Sequence, residues 1–224
     1  MSSPSLPSKE DILALAQWVL ECPLIKEYYA LAGGAWLTLR LPKESRLSKD
    51  VDVLSPKEDI SSFKATLQIV EKCKKERIKY QITRRGEHFC QIFVRYPGNQ
   101  DIKVDIGKIW RPITLLYDPT LRCPILSSHD MVLEKLHCMV DRIEPTDLYD
   151  LCILHKSYPE EFRRALQELA KSMEAKELII QIEKCLEATA GLGTKELLDD
   201  QKRSWMESYV AKLIKDVTSM ARNE

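Results

Sequence analysis

Glycine is scarce in this chain, seven in 224 residues, and two of the seven are adjacent, at Gly33-Gly34. A chain that spends so few glycines and pairs two of them has a local reason, a turn or a close backbone approach. Long apolar runs are missing as well. None approaches the roughly 20 residues of a membrane span, so no membrane association is expected. The opening MSSPSLPSKE has no apolar signal core, and no secretory leader is expected from it. Excess charge of either sign is absent, with 34 basic residues against 34 acidic. Paired cysteine spacing is absent too: the seven cysteines are scattered, odd in number and without a CxxC. Reduced thiols in a cytoplasm are therefore expected, and His137-Cys138 alone does not make a zinc site.

What remains is ordinary globular composition, 44% hydrophobic and 30% charged, enough for one large or two small domains. Ser8 and Asp11 read as a capping box opening a helix to about Glu21, ended by Pro23. A short helix follows Gly33-Gly34. LSKDVDVLS then switches to strand alternation. Ser55-Pro56 reads as a helix start, with about five turns running to Arg77. Strand-like runs follow at 78–84, 88–96 and 101–107, with turns at Gly86 and Pro97-Gly98-Asn99. From Ser127 onward the periodicity is helical, broken at Pro145 and Pro159 and interrupted at Gly191-Leu-Gly193. The expected architecture is α+β: a mixed sheet with flanking helices over 1–125, followed by a helical module over 126–224.

The chemistry concentrates in GGAWLTLRLPKESRLSKDVDVLS, residues 33–55. Strand side chains alternate, so Asp50 and Asp52 share one face. Two such carboxylates repel, and a divalent cation between them removes the repulsion. Mg²⁺ suits hard oxygen ligands combined with substrate phosphates. Asp105, in IKVDIG, offers a third carboxylate on an otherwise apolar strand, as a two-metal phosphoryl-transfer site requires. Gly33-Gly34 at a helix start allows backbone N–H groups to approach a phosphate.

Gly33-Gly34 with Arg46-x-Ser48-x-Asp50-Val51-Asp52 resembles the signature of DNA polymerase β-type nucleotidyltransferases. Within these it is most similar to the AbiEii branch, the toxins of type IV toxin–antitoxin systems. That branch reads roughly GGTAL, a short helix, then RxSxDxD. A second stretch, Lys135-Leu-His-Cys-Met-Val-Asp-Arg142 with Asp147-Leu-Tyr-Asp150-Leu, resembles the branch's K-L-x-A-x-x-x-R and [RK]-D-L-x-D-L segments. Ala35, Cys138 and Thr146 depart from the pattern. The resemblance covers about 30–155.

It implies a polymerase β-like fold and roles for particular residues. Asp50 and Asp52 would hold Mg²⁺, and Asp105 would complete the metal site and help deprotonate an acceptor hydroxyl. Ser48 and the amides of Gly33 and Gly34 would contact nucleotide phosphates. Lys135 and Arg142, two helical turns apart, would supply positive charge for a triphosphate. Asp147 would orient Lys135 or assist the base, and Asp150 would act as a cap or ion-pair partner. The helical module would thus contribute Lys135 and Asp147 to the cleft.

The implied activity is Mg²⁺-dependent transfer of a nucleoside monophosphate from an NTP to an acceptor hydroxyl, on tRNA or protein, with release of pyrophosphate, and the resemblance implies a toxin with a cognate antitoxin. A non-catalytic nucleotide- or partner-binding module, or an enzyme acting on a small molecule, are the alternatives. The run Lys72–Arg85 holds seven basic residues against one glutamate. It reads either as a solvated helix end or as a phosphate-tracking surface. Trp36, Trp110 and Trp205 read as packing residues, and His88, His129, His137 and His155 as surface or supporting groups rather than ligands.

Overall fold

The computed structural model describes residues 7–221 apart from 97, 99, 121, 172 and 190–197. The expected turn residues Pro97 and Asn99 and the interruption at Gly191-Leu-Gly193 lie outside the described residues. The chain divides into two compact units, Met1–Ser127 and Ser128–Glu224.

The first unit is a seven-stranded mixed sheet with helices against it, in strand order Tyr80–Arg84, Phe89–Val94, Ile102–Lys108, Asp50–Ser55, Ala30–Ala32, Cys123–Leu126 and Leu115–Asp118. Helix α1 (Lys9–Leu20) starts at Ser8, whose hydroxyl accepts from the Asp11 amide while the Asp11 carboxylate accepts from the Ser8 amide. Its buried residues Ile12, Leu15, Ala16 and Val19 follow helical spacing. Pro23 ends α1 and also starts α2 (Pro23–Tyr28), where its missing N–H costs nothing at the first helical position. Strand β1 (Ala30–Ala32) is fully buried and leads into α3 (Gly33–Arg40).

Strand β2 (Asp50–Ser55) alternates as expected, with Val51, Val53 and Ser55 inward and Asp50, Asp52 and Leu54 on the less buried face. Ser55-Pro56 does not open a helix. Ser55 is the last residue of β2, and its hydroxyl accepts from the Lys57 amide. Helix α4 (Ser62–Glu76) begins instead after Ser61, which accepts from the Lys64 amide, and ends at Arg77 in the left-handed region (φ 58°). Strands β3 (Tyr80–Arg84), β4 (Phe89–Val94) and β5 (Ile102–Lys108) form the antiparallel side. Strands β6 (Leu115–Asp118) and β7 (Cys123–Leu126) close the other side, β7 running parallel to β1.

The core includes Trp36, Tyr29, Leu31, Ile69, Ile92 and Ile106. Trp36 donates its indole N–H to the Leu126 carbonyl at 3.0 Å, so it packs as expected. Trp110 is 63% exposed and edge-on to His88, outside the core but not outside the expectation of core or interface packing.

The second unit is helical throughout its described elements: α5 (Ser128–Asp141), α6 (Pro145–Ser157), α7 (Pro159–Leu169), α8 (Ala175–Ala188) and α9 (Asp200–Ala221). In α7 the buried Phe162, Ala165, Leu166 and Leu169 make a single stripe, whereas α6 is buried along most of its length. That is why α6 has little amphipathic signature: it is the central helix of the unit. Trp205 stacks on Tyr209 and meets Tyr149 edge-on.

All seven cysteines are free thiols, six of them buried. Burial pushes the thiols of Cys73, Cys123 and Cys152 up to about 12. No helix among the described residues is long and apolar enough to cross a membrane.

Candidate active site

Strand pairing puts the three expected carboxylates together. Strand β2 runs parallel to β5 with Asp52 opposite Asp105 and Asp50 opposite Lys103. Asp50, Asp52 and Asp105 each offer an oxygen, and these atoms lie within 4.8 Å of one another, so the three could hold a metal ion. Their chemistry, anionic oxygen donors on a partly exposed sheet face, fits a hard divalent cation.

The paired glycines touch this cluster directly. Strand β1 is antiparallel to β2, with Ala32 opposite Asp52, so the next residue, Gly33, begins α3 beside that carboxylate. Gly33 has φ +63°, and a Cβ there would sit 1.8 Å from Asp52 Oδ2. A Cβ on Gly34 would sit 2.8 Å from Ser48 Oγ. Both positions therefore need glycine for backbone approach, and Gly33 needs it for conformation too. Ser48 is fully buried, and its hydroxyl donates to Asp50, with both the carbonyl and Oδ1 at 3.0 Å. In this structure the Ser48 hydroxyl is directed at Asp50. Thr38 donates to the carbonyls of Gly34 and Arg46, tying α3 to the segment that leads into β2.

In the second unit, α5 and α6 carry a charged cluster. Lys135 Nζ lies 2.6 Å from Asp147 Oδ1 and 2.8 Å from Asp150 Oδ2. Arg142 Nε donates to Asp147 Oδ2 at 2.7 Å. Asp147 and Asp150 are 1% exposed and Lys135 5%. Burial raises the carboxyl pKa of Asp147, but Lys135 and Arg142 outweigh that and hold it below the usual carboxylate range. The seven- and five-residue spacings of the sequence motif are thus the spacings of an ion-pair network: Lys135 and Arg142 both reach Asp147.

The sequence profile described as "Nucleotidyl transferase AbiEii toxin, Type IV TA system" matches residues 14–219. The chain belongs to the AbiEii family. It is accordingly a nucleotidyltransferase of the toxin class that the family name describes. Two solved structures share the fold. JHP933 from Helicobacter pylori is 16% identical, with a TM-score of 0.56 and 98% of this chain and 97% of that one covered. A putative nucleotidyltransferase from H. pylori, also 16% identical, gives a TM-score of 0.58 with 96% and 99% covered. No curated protein matches the chain.

Two residues of this AbiEii-family site carry no sequence signature. Lys103 Nζ lies 2.9 Å from Asp50 Oδ2 and 2.8 Å from Asp105 Oδ2. Gln91, on β4 opposite Asp105, donates to Asp105 Oδ1 at 2.9 Å. Burial lowers the Lys103 pKa, yet Asp50 and Asp105 reverse this and raise it above its ordinary value. Burial likewise raises the carboxyl of Asp50, but Lys103, Ser48 and Arg46 draw it below the usual range, so Asp50 is a carboxylate. Lys103 was within reach of strand alternation, being two residues before Asp105 on the same face. A lone lysine on a strand, however, reads as solvated. The basic run splits: Lys72 donates to the Trp18 carbonyl and pairs with Glu21, while Lys74, Lys75, Arg77, Lys79, Arg84 and Arg85 are exposed.

Proposed function

We propose that this AbiEii-family enzyme transfers a nucleoside monophosphate from a Mg²⁺-bound NTP to an acceptor hydroxyl, acting in a cytoplasm as the toxin of a pair with a cognate antitoxin. The observation that carries the reading is the meeting of three carboxylates with the Gly33 turn. Asp52 faces both Asp105 across the strand pair and the backbone at the start of α3. A cation at the carboxylates and a phosphate at the helix start would then be neighbours.

In this reading Asp50, Asp52 and Asp105 hold Mg²⁺, which when bound supplies positive charge to the transferring phosphoryl group. The amides of Gly33 and Gly34 receive phosphate oxygens, aided by the positive end of the α3 dipole. Ser48 fixes the direction of Asp50, and Gln91 that of Asp105, so both carboxylates are set before substrate arrives. Asp105 accepts the proton of the acceptor hydroxyl as that oxygen bonds to the α-phosphorus of the NTP, and the bond from the α-phosphorus to pyrophosphate breaks, so that pyrophosphate leaves. Lys135, Arg142 and Asp147 are proposed to act as one charged group of the helical unit, with Lys135 held between Asp147 and Asp150. Arg142 is 59% exposed in its side chain and remains the candidate for a nucleotide contact.

The acceptor in this proposal is the 3′ end of a tRNA, supported by the exposed basic residues of α4 and β3, with a protein side chain the other outcome. The test is incubation with each labelled NTP, Mg²⁺ and total tRNA, followed by separation of labelled RNA from labelled protein. RNA label that disappears in Asp52→Asn supports the reading, and protein label moves the acceptor to a side chain. No Asp52-dependent label on either would overturn it.

A further inference from the structure

The carboxylate face is a two-by-two arrangement on β2 and β5. One row, Asp52 and Asp105, places like charges directly opposite each other, an arrangement that is destabilising by itself. The other row, Asp50 and Lys103, is an ion pair, and Lys103 reaches diagonally to Asp105 as well. One ammonium thus lies within 2.9 Å of two of the three carboxylates that would coordinate a cation. We propose that Lys103 is a built-in competitor of the divalent cation. It bridges Asp50 and Asp105 in the metal-free protein and keeps intrinsic metal affinity low, so that the cation is retained only together with the nucleotide's polyphosphate. The inference rests on the metal-binding reading of the three carboxylates.

The geometry supplies both halves of a competition. The lysine and the cation need the same oxygens, and two positive groups on shared carboxylates repel. The side chain of Lys103 is 29% exposed, so it has solvent to move into when it releases Asp50 and Asp105. A flexible four-carbon stem carrying a compact charge suits that exchange better than a planar guanidinium would. The four side chains together carry two more negative than positive charges. A divalent ion would match that excess, so the competition is for the oxygens that Asp50 and Asp105 present rather than for net charge, and an incoming triphosphate gives the displaced ammonium other anionic oxygens to pair with. Gln91 is neutral and holds Asp105 from its other oxygen, so Asp105 keeps its orientation when the lysine leaves.

The test measures Mn²⁺ binding to the nucleotide-free full chain by electron paramagnetic resonance, in wild type, Lys103→Met, Lys103→Arg and Asp52→Asn. Lys103→Met should bind Mn²⁺ at least about tenfold more tightly than wild type, as expected when a unit charge beside a divalent ion is removed. Lys103→Arg should stay as weak as wild type. In EDTA, Lys103→Met should melt at a lower temperature than wild type and regain the difference when Mn²⁺ is added, which a purely structural lysine would not do. Equal or weaker Mn²⁺ binding by Lys103→Met, with binding still dependent on Asp52, overturns the competition alone. Tightening in Lys103→Arg equal to that in Lys103→Met also overturns it. Absence of Asp52-dependent Mn²⁺ binding in every variant overturns the metal reading along with it.

Discussion

Each unit of the protein carries a lysine held between two aspartates, and the two arrangements differ in charge balance and burial. In the helical unit, Lys135, Arg142, Asp147 and Asp150 balance, and the aspartates are almost completely buried. On the sheet, Asp50, Asp52 and Asp105 outnumber Lys103, and the face is open, with side-chain exposures of 26% for Asp50 and 15% for Asp105. In the buried network every cation has a carboxylate and every carboxylate a cation. The open cluster instead gathers oxygens of three carboxylates within 4.8 Å of one another. The same residue types therefore occur in two settings, and burial separates them.

The largest expected effect breaks the comparison on the sheet side. Asp52→Asn should lower nucleotidyl transfer by about three orders of magnitude or more, a few kcal/mol of transition-state charge stabilisation. The melting temperature should hold or rise, because a like-charge pair has been relieved. A loss of activity that tracks a loss of folded protein would assign Asp52 to structure.

On the helical side the signs reverse. Lys135→Met leaves two buried carboxylates without their shared partner and should cost about 3–5 kcal/mol of stability, read by urea denaturation. If instead it stays folded and loses only nucleotide affinity, the buried network is part of the substrate site. Acid sharpens the same point. The Asp147 carboxyl titrates lower in the folded chain than the ordinary value of about 3.9. Its contribution is complete above that value and disappears as pH falls through the lower folded value. Unfolding of the helical unit should therefore steepen below about pH 4, and circular dichroism along an acid titration would show it.

Gly33→Ala should come next. A left-handed backbone costs an alanine about 1–2 kcal/mol, and its Cβ would also displace Asp52. Activity should fall well beyond what the stability loss explains. Normal transfer by this variant would mean that the close approach of α3 to Asp52 is incidental.

Much of this site was legible because strand alternation and the Gly-Gly, RxSxDxD and K…R…D spacings involve residues that act side by side. Asp50, Asp52 and Asp105 met as alternation required, and α1 formed on its capping box. The misses have local causes. Strand β1 is only Ala30–Ala32, too short and uniformly apolar to show a period, and β7 contains Pro124. Ser55-Pro56 imitates a helix start, but β2 needed Ser55, and the cap passed to Ser61. Ser48 and Lys103 were harder. Their partners are fixed by register and loop path, which a linear pattern does not contain.

The smallest effect concerns the basic residues. Lys74 and Lys75 are exposed in the last turn of α4. If an RNA backbone follows them, reversing both to Glu should flatten the salt dependence of acceptor binding by about 0.7 per lost phosphate contact. NTP affinity should be unchanged. An unaltered slope would return this stretch to a solvated helix end.

The buried thiols give the two units separate clocks. Cys22, Cys73, Cys90 and Cys123 belong to the sheet unit, and Cys152 and Cys185 to the helical one, all six shielded and free. A thiolate must form and reach solvent before it reacts, so alkylation of each cysteine waits for its own surroundings to open. Mass-resolved labelling would then time the opening of sheet and helices independently in the unmodified sequence, without a probe anywhere near Asp52.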